Sequence, residues 1–261
     1  MSKSSIIKPS VFTKKSLKKL LSEKSPFGVK ESYAAIRTQL MFSGKNEKCP
    51  VFAVTSTTAG DGKTLTCVNL AISFAQLNKR ILVIDGDMRN PTIHKMFSLS
   101  SSNGLSEVLA GFSDSVNFKS TNVENLTILT AGETPPNPAE LLNSEQMDKL
   151  LRLIREHFDY VFIDTPPAGM VIDAAVIAQK VTGFVIIVRP GNTDIRNLKT
   201  TVSELESLGA TISGFICNDV DGKQRNPSGS YGRKYYKKYS YSRYYNRYYV
   251  ANPKTEDGNK K

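Results

Sequence analysis

Apolar residues along this chain recur in two rhythms. Short runs that are apolar almost throughout stand at residues 50–56 (PVFAVTS), 80–85 (RILVID), 126–132 (LTILTAG), 160–164 (YVFID), 183–189 (GFVIIVR) and 211–218 (TISGFICN). Each is strand-sized, and strands without a polar face belong to a sheet covered on both sides. Between them the spacing lengthens to that of a helix. Residues 30–42 place Tyr33, Ile36, Leu40 and Phe42 on one stripe, and residues 64–77 form a second helical pattern. Residues 143–157 carry Met147, Leu150, Leu151 and Ile154 on one face, with Ser144 as the N-cap candidate. Residues 173–179 and 195–208 complete the set, and a turn of helix is expected over 14–21. Alternating strands and helices predict an α/β fold with a mostly parallel sheet and helices on both faces. The apolar pattern spans 28–221, flanked by a basic arm (1–27) and a tail (222–261) in which it stops and disorder is expected.

The length of 261 residues suits one such domain. Charge separates the same three segments. The formal net charge is +11, but the arms hold the excess: residues 222–261 contain 11 Lys/Arg against 2 Asp/Glu, whereas residues 25–221 contain 17 against 21. The charge points to nucleic acid, an anionic membrane surface or an acidic partner, and an acidic globular part between basic arms assigns that contact to the arms. Three cysteines without a CxxC pair indicate reduced thiols, His94 and His157 have no metal-binding neighbours in sequence, and no apolar run is long enough to span a bilayer.

The chemistry collects at strand ends. After the first strand comes TSTTAGDGKTLT, in which Gly62, Lys63 and Thr64 match the end of a phosphate-binding P-loop. Glycines there let backbone N–H groups wrap a polyphosphate at a helix N-terminus, Lys63 reaches its outer phosphates, and Thr64 ligates Mg²⁺. The strict pattern has glycine where Thr57 stands. ILVIDGDMR ends the second strand in Asp85 and Asp87, and YVFIDTPP ends another in Asp164. Carboxylates at adjacent parallel strand ends lie in the crevice where such sheets bind ligands, and they can hold a metal-bound water or take a proton. The last feature is YGRKYYKKYSYSRYYNRYY. It holds nine tyrosines (Tyr231, Tyr235, Tyr236, Tyr239, Tyr241, Tyr244, Tyr245, Tyr248 and Tyr249) among lysines and arginines.

These motifs, in this order and with this tail, resemble the bacterial tyrosine kinases, and more narrowly the separate kinase subunit that regulates capsular or exopolysaccharide synthesis in Gram-positive bacteria. The similarity covers about residues 28–249. It implies a P-loop NTPase fold, ATP and Mg²⁺, and autophosphorylation of the tail in trans. The family's nucleotide loop falls on Thr58, Ala59, Gly60, Asp61, Gly62, Lys63, Thr64 and Leu65, with Asn218 near adenine. Lys63, Asp85, Asp87 and Asp164 are the implied catalytic group: Asp85 activates the tyrosine hydroxyl, and Thr64, Asp87 and Asp164 position Mg²⁺. The family's ExxRxxR packing motif survives as Glu31 and Arg37, with Ala34 replacing its first arginine, so a ring-like homo-oligomer is expected in weakened form. The resemblance further implies a transmembrane adaptor that activates the kinase and holds a cytoplasmic protein at the inner face of the membrane, with protein tyrosines as substrates. The alternative is a partitioning or positioning ATPase that binds DNA or membrane. Such proteins carry an early loop lysine where Thr58 stands, so this reading is weaker, and nucleic acid is not an expected partner.

Overall fold

The structure, a computed structural model, describes residues 20–113 and 115–219. The tyrosine cluster from Tyr231 to Tyr249, and residues 1–19 of the basic arm, lie outside the described residues. The elements in chain order are α1 (Phe27–Ser43), β1 (Val51–Ser56), α2 (Lys63–Ala75), β2 (Ile81–Asp85), α3 (Ile93–Met96), α4 (Leu105–Leu109), β3 (Lys119–Ser120) and β4 (Leu126–Leu129). There follow α5 (Pro138–Asn143), α6 (Glu145–His157), β5 (Tyr160–Asp164), a 3₁₀ turn (Ala175–Ile177), β6 (Gly183–Val188), α7 (Ile195–Ser207) and β7 (Ile212–Cys217).

The seven strands form one sheet in the order β3-β4-β2-β5-β1-β6-β7. Every pairing is parallel except that of β3 with β4. Successive side chains of a strand point to opposite faces, and in β1, β2, β5 and β6 both sets are largely buried. Val51, Ala53, Leu82, Ile84, Val161, Ile163, Phe184 and Ile186 pack in one core that α4, α5, α6 and α7 cover. Phe52, Val54, Ile81, Val83, Phe162, Val185 and Ile187 pack in the other, beneath α1 and α2. Phe162 meets Phe74 of α2 nearly edge-on, with ring centroids 5.2 Å apart.

Local signals set the helix ends. The Ser144 side chain accepts the Met147 N–H at 3.3 Å and starts α6. The Asp194 carboxylate accepts the N–H groups of Arg196 and Asn197 and starts α7. One expected helix is absent: residues 173–179 form only the single 3₁₀ turn. Asp173, which would begin that helix, is fully buried and bound to Arg89, so its carboxylate is not available to cap one. Three short helices (α3, α4 and α5) and the two-residue β3 appear where the apolar rhythm gave no signal. Packing reaches back beyond α1: Leu21 is buried against α2, and its N–H donates to the Asn69 side chain at 2.8 Å.

Candidate active site

The loop between β1 and α2 is a cradle of backbone. Gly60 and Gly62 both take positive φ, 86° and 88°, a conformation that costs glycine little and other residues much. A Cβ on Gly62 would also lie 2.1 Å from the amide nitrogen of Asn218. Thr57, standing where the strict pattern has glycine, is buried and has no positive φ, so the exchange introduces no left-handed strain. Side chains from the other end of the chain fix the loop's shape. The Asn192 amide donates to Asp61 Oδ1 at 2.6 Å and to the Ala59 carbonyl at 3.1 Å. Asn218 donates to the Asp61 carbonyl at 2.8 Å, and Arg189 to the Gly60 carbonyl at 3.1 Å. Arg189 also pairs with Asp219. Asp61 is completely buried at the centre of this brace.

Three neighbouring strands aim their last residues at the cradle. Asp85 of β2 lies in register with Asp164 of β5, and β5 pairs with β1 on its other side. The Lys63 ammonium donates to Asp87 Oδ2 at 2.9 Å and stands 3.7 Å from Asp164 Oδ2. The Thr64 hydroxyl donates to Asp164 Oδ2 at 2.7 Å. Lys63, Thr64, Asp87 and Asp164 are thus one connected cluster, drawn from segments up to 100 residues apart in sequence.

Burial sets the proton affinities. It works against charge on Lys63, but Asp164 and Asp87 beside it keep the ammonium protonated and raise its pKa overall. Burial also pushes Asp164 up, and the nearby Lys63 holds it back to about 6. Asp85 is pushed up to about 8, first by burial and then by Asp164. Its Oδ2 accepts the backbone N–H groups of Thr92 and Ile93, while its Oδ1, like that of Asp164, is buried without a hydrogen-bond partner among the described residues.

Above the cluster opens a cleft of about 580 Å³. Ala59, Gly60, Gly62, Lys63 and Thr64 form one wall, and residues following β2 and β5 form the other. Of the two carboxylates at the end of β2, Asp87 reaches the cleft wall; Asp85 is buried and is not part of it. The sequence reading missed three contributors here. Arg189 and Asn192 brace the loop from more than 120 residues away, and nothing local marks them. The third is the bidentate pair of Arg89 with Asp173, 2.8 Å at both contacts, which ties the loop after β2 to the loop after β5. Asn218 abuts the phosphate-loop backbone and is not part of the cleft wall. Of the expected packing residues, Glu31 is exposed on α1, while Arg37 donates within the domain to the Ser73 carbonyl at 2.6 Å and its hydroxyl at 2.9 Å.

The donor set suits Mg²⁺: one hydroxyl and two carboxylates offer oxygen ligands, and Mg²⁺ characteristically takes few from protein and the rest from phosphates and water.

A P-loop nucleotide site with converging strand-end carboxylates defines the class as a P-loop NTPase. Residues 50–208 match the family model described as AAA domain. The chain is 38% identical over 193 residues to a tyrosine-protein kinase, CpsD, of Streptococcus pneumoniae, an alignment spanning 73% of this chain and 84% of that protein. Among solved structures it is similar to the kinase domain of the Escherichia coli tyrosine kinase ETK, with TM-score 0.71 and 32% identity over 77% of this chain and 80% of that one. The chimerical protein CapA2B2 matches with TM-score 0.71 and 33% identity over 78% and 89%. The chain belongs to the bacterial tyrosine-protein kinase family. That membership decides against the partitioning-type ATPase. No helix among the described residues is long and apolar enough to cross a membrane.

Proposed function

We propose that the chain transfers the terminal phosphoryl group of ATP to protein tyrosines, first among them the cluster from Tyr231 to Tyr249 on a second copy, and so regulates polysaccharide synthesis and export. One observation carries this reading: Lys63 and Thr64 of the phosphate loop converge on Asp87 and Asp164, 2.9 Å and 2.7 Å away, beside a cleft of about 580 Å³. In the mechanism the loop N–H groups and Lys63 hold the phosphates, and Asn218 lies on the adenine side. Thr64, Asp87 and Asp164 hold Mg²⁺, which when bound neutralises charge on the transferring phosphoryl group. Asp85 takes the proton from the tyrosine hydroxyl. Its unpartnered Oδ1 and raised proton affinity equip it for that role.

The family resemblance supports the remaining assignments. Glu31 and Arg37 serve packing in a ring-like oligomer, though Arg37 also has a partner in its own subunit. A membrane-spanning adaptor activates the kinase and recruits it to the inner face of the membrane. Each phosphotyrosine adds roughly −1.5 to −2 charges, so full modification takes residues 222–261 from +9 to about −5 to −9 and loosens the assembly.

The test is ATP- and Mg²⁺-dependent phosphotyrosine formation by the purified protein and by Lys63→Met, each with and without the adaptor's cytoplasmic segment. Phosphotyrosine in the tail that requires Lys63 is the expected result. ATP hydrolysis without phosphotyrosine, adaptor segment included, would refute it.

A further inference from the structure

We propose that the apolar wall of the cleft, formed by Met96, Pro166, Pro167, Met170 and Val171, is the slot that grips the phenol ring of the acceptor tyrosine. This rests on the kinase reading above and extends it to the residues that choose the acceptor.

Strand order locates the slot. The P-loop follows β1, and the sheet runs β2-β5-β1-β6-β7 across it. Lys63 and Thr64 turn their side chains toward Asp87 and Asp164, over β2 and β5. A P-loop lysine reaches the β- and γ-phosphates, so the terminal phosphate lies on that flank. Over β6 and β7 the residues at the loop are Arg189, Asn192 and Asn218, all polar and bonded to its backbone, and none of them lines the cleft. In-line transfer requires the acceptor oxygen opposite the departing ADP. The acceptor therefore enters over β2 and β5, where the apolar wall stands.

The wall's chemistry selects a ring. Nothing in a triphosphate calls for two methionines, two prolines and a valine beside a carboxylate floor. An aromatic side chain with a hydroxyl at its far end needs that combination: an apolar body contact and a polar terminus. Thioethers favour contact with ring edges. Met96 is buried, whereas Met170 is 64% exposed and forms a lip of the cleft. The Arg89–Asp173 pair and the bond from the Ala168 N–H to the Ser56 carbonyl, 2.9 Å, set the width between the lips. A serine or threonine hydroxyl, on a one-carbon stem, would leave the wall without a partner and fall short of the floor. In the step itself the phenol O–H gives its proton to the carboxylate base. Its oxygen bonds to the γ-phosphorus as the bond to the bridging oxygen breaks, and that electron pair leaves with ADP.

The experiment uses the full-length chain with Mg²⁺, ATP and the adaptor's cytoplasmic segment, and as acceptor a peptide of residues 231–249. Initial rates are measured against peptide and against ATP for wild type, Met170→Ala, Met170→Glu and Met170→Leu. Met170→Ala raises the KM for peptide roughly ten-fold, Met170→Glu raises it further, and Met170→Leu restores it to within about three-fold of wild type, with the KM for ATP steady throughout. An unchanged peptide KM in Met170→Glu would overturn the slot, and so would a parallel rise in the KM for ATP, which would assign the wall to the adenine. Absence of phosphotyrosine from wild type with the adaptor's cytoplasmic segment present would overturn the kinase reading itself, and the slot with it.

Discussion

Replacing Asp85 with asparagine separates what the site costs the fold from what it gives the reaction. The amide keeps an oxygen for the Thr92 and Ile93 N–H groups, at 3.1 and 3.0 Å, but cannot ionise. The wild-type carboxyl is pushed from an ordinary 3.8 to about 8, so between those values the folded protein holds a proton that the unfolded chain has released. Stability from this group is full below about pH 4 and is lost as pH rises toward 8. Each pH unit in that window costs ~1.4 kcal/mol at most, or roughly 3 kcal/mol between pH 5 and 7.5. Asparagine removes the slope. Any penalty for its buried amide hydrogens is independent of pH and cancels when the two proteins are compared across the window. Thermal unfolding of both from pH 5 to 8 should therefore show the gap moving in the variant's favour with rising pH. At ~2–4 °C per kcal/mol, the change is several degrees. Phosphotyrosine formation should fall ~10²–10⁴-fold, as expected when a general base is lost. A gap that stays constant from pH 5 to 8 would refute the argument, because it would mean that Asp85 is ionised at neutral pH in the folded state.

Three further outcomes follow from the geometry. Asn192→Ala deletes the amide that spans Asp61 and Ala59, so the KM for ATP should rise roughly ten-fold while kcat at saturation changes less than three-fold, in steady-state kinetics. Gly62→Ala places a Cβ into Asn218 at a φ of 88°, and isothermal titration should detect no nucleotide binding even though the sheet's circular dichroism persists. Ser144→Ala removes the α6 cap and should lower stability by ~1 kcal/mol, read as a urea midpoint shift at unchanged slope, with the KM for ATP untouched.

The sheet was largely legible in the sequence because each of its six longer strands is a run with both faces apolar, and such runs have few other uses. Lys63, Thr64 and the three aspartates were legible for a related reason. Each sits at a fixed offset from a strand end, so a strand boundary and a motif together fix its place. What escaped had no local signature. Asn192 and Arg189 act on a loop far back in the chain, through contacts that only the strand order creates. Residues 173–179 carry a helical stripe, yet Asp173 is committed to Arg89 and only one 3₁₀ turn forms, a tertiary contact overriding propensity. The bond from Arg37 to the Ser73 carbonyl likewise has no mark in the local sequence.

The pairing of Asp85 with Asp164 has a consequence for how the chain can vary. The two carboxylates are neighbours because β2 and β5 end together, and their separation is set by strand spacing, the same ~4.8 Å that backbone bonding imposes everywhere in a sheet. The ruler for the chemistry is the peptide ladder itself. One residue inserted within β2 would carry Asp85 about 3.3 Å along the strand and turn it to the opposite face, while moving Ile84 and Leu82 out of their core. An error there cannot yield a folded protein with a mis-spaced site: the same slip that would misplace the carboxylate unmakes the core. Length can change freely only in the loop before β2, because the loop after it carries Asp87 and Arg89, and a lineage that varies the first keeps its reaction geometry unaltered for as long as it keeps its fold.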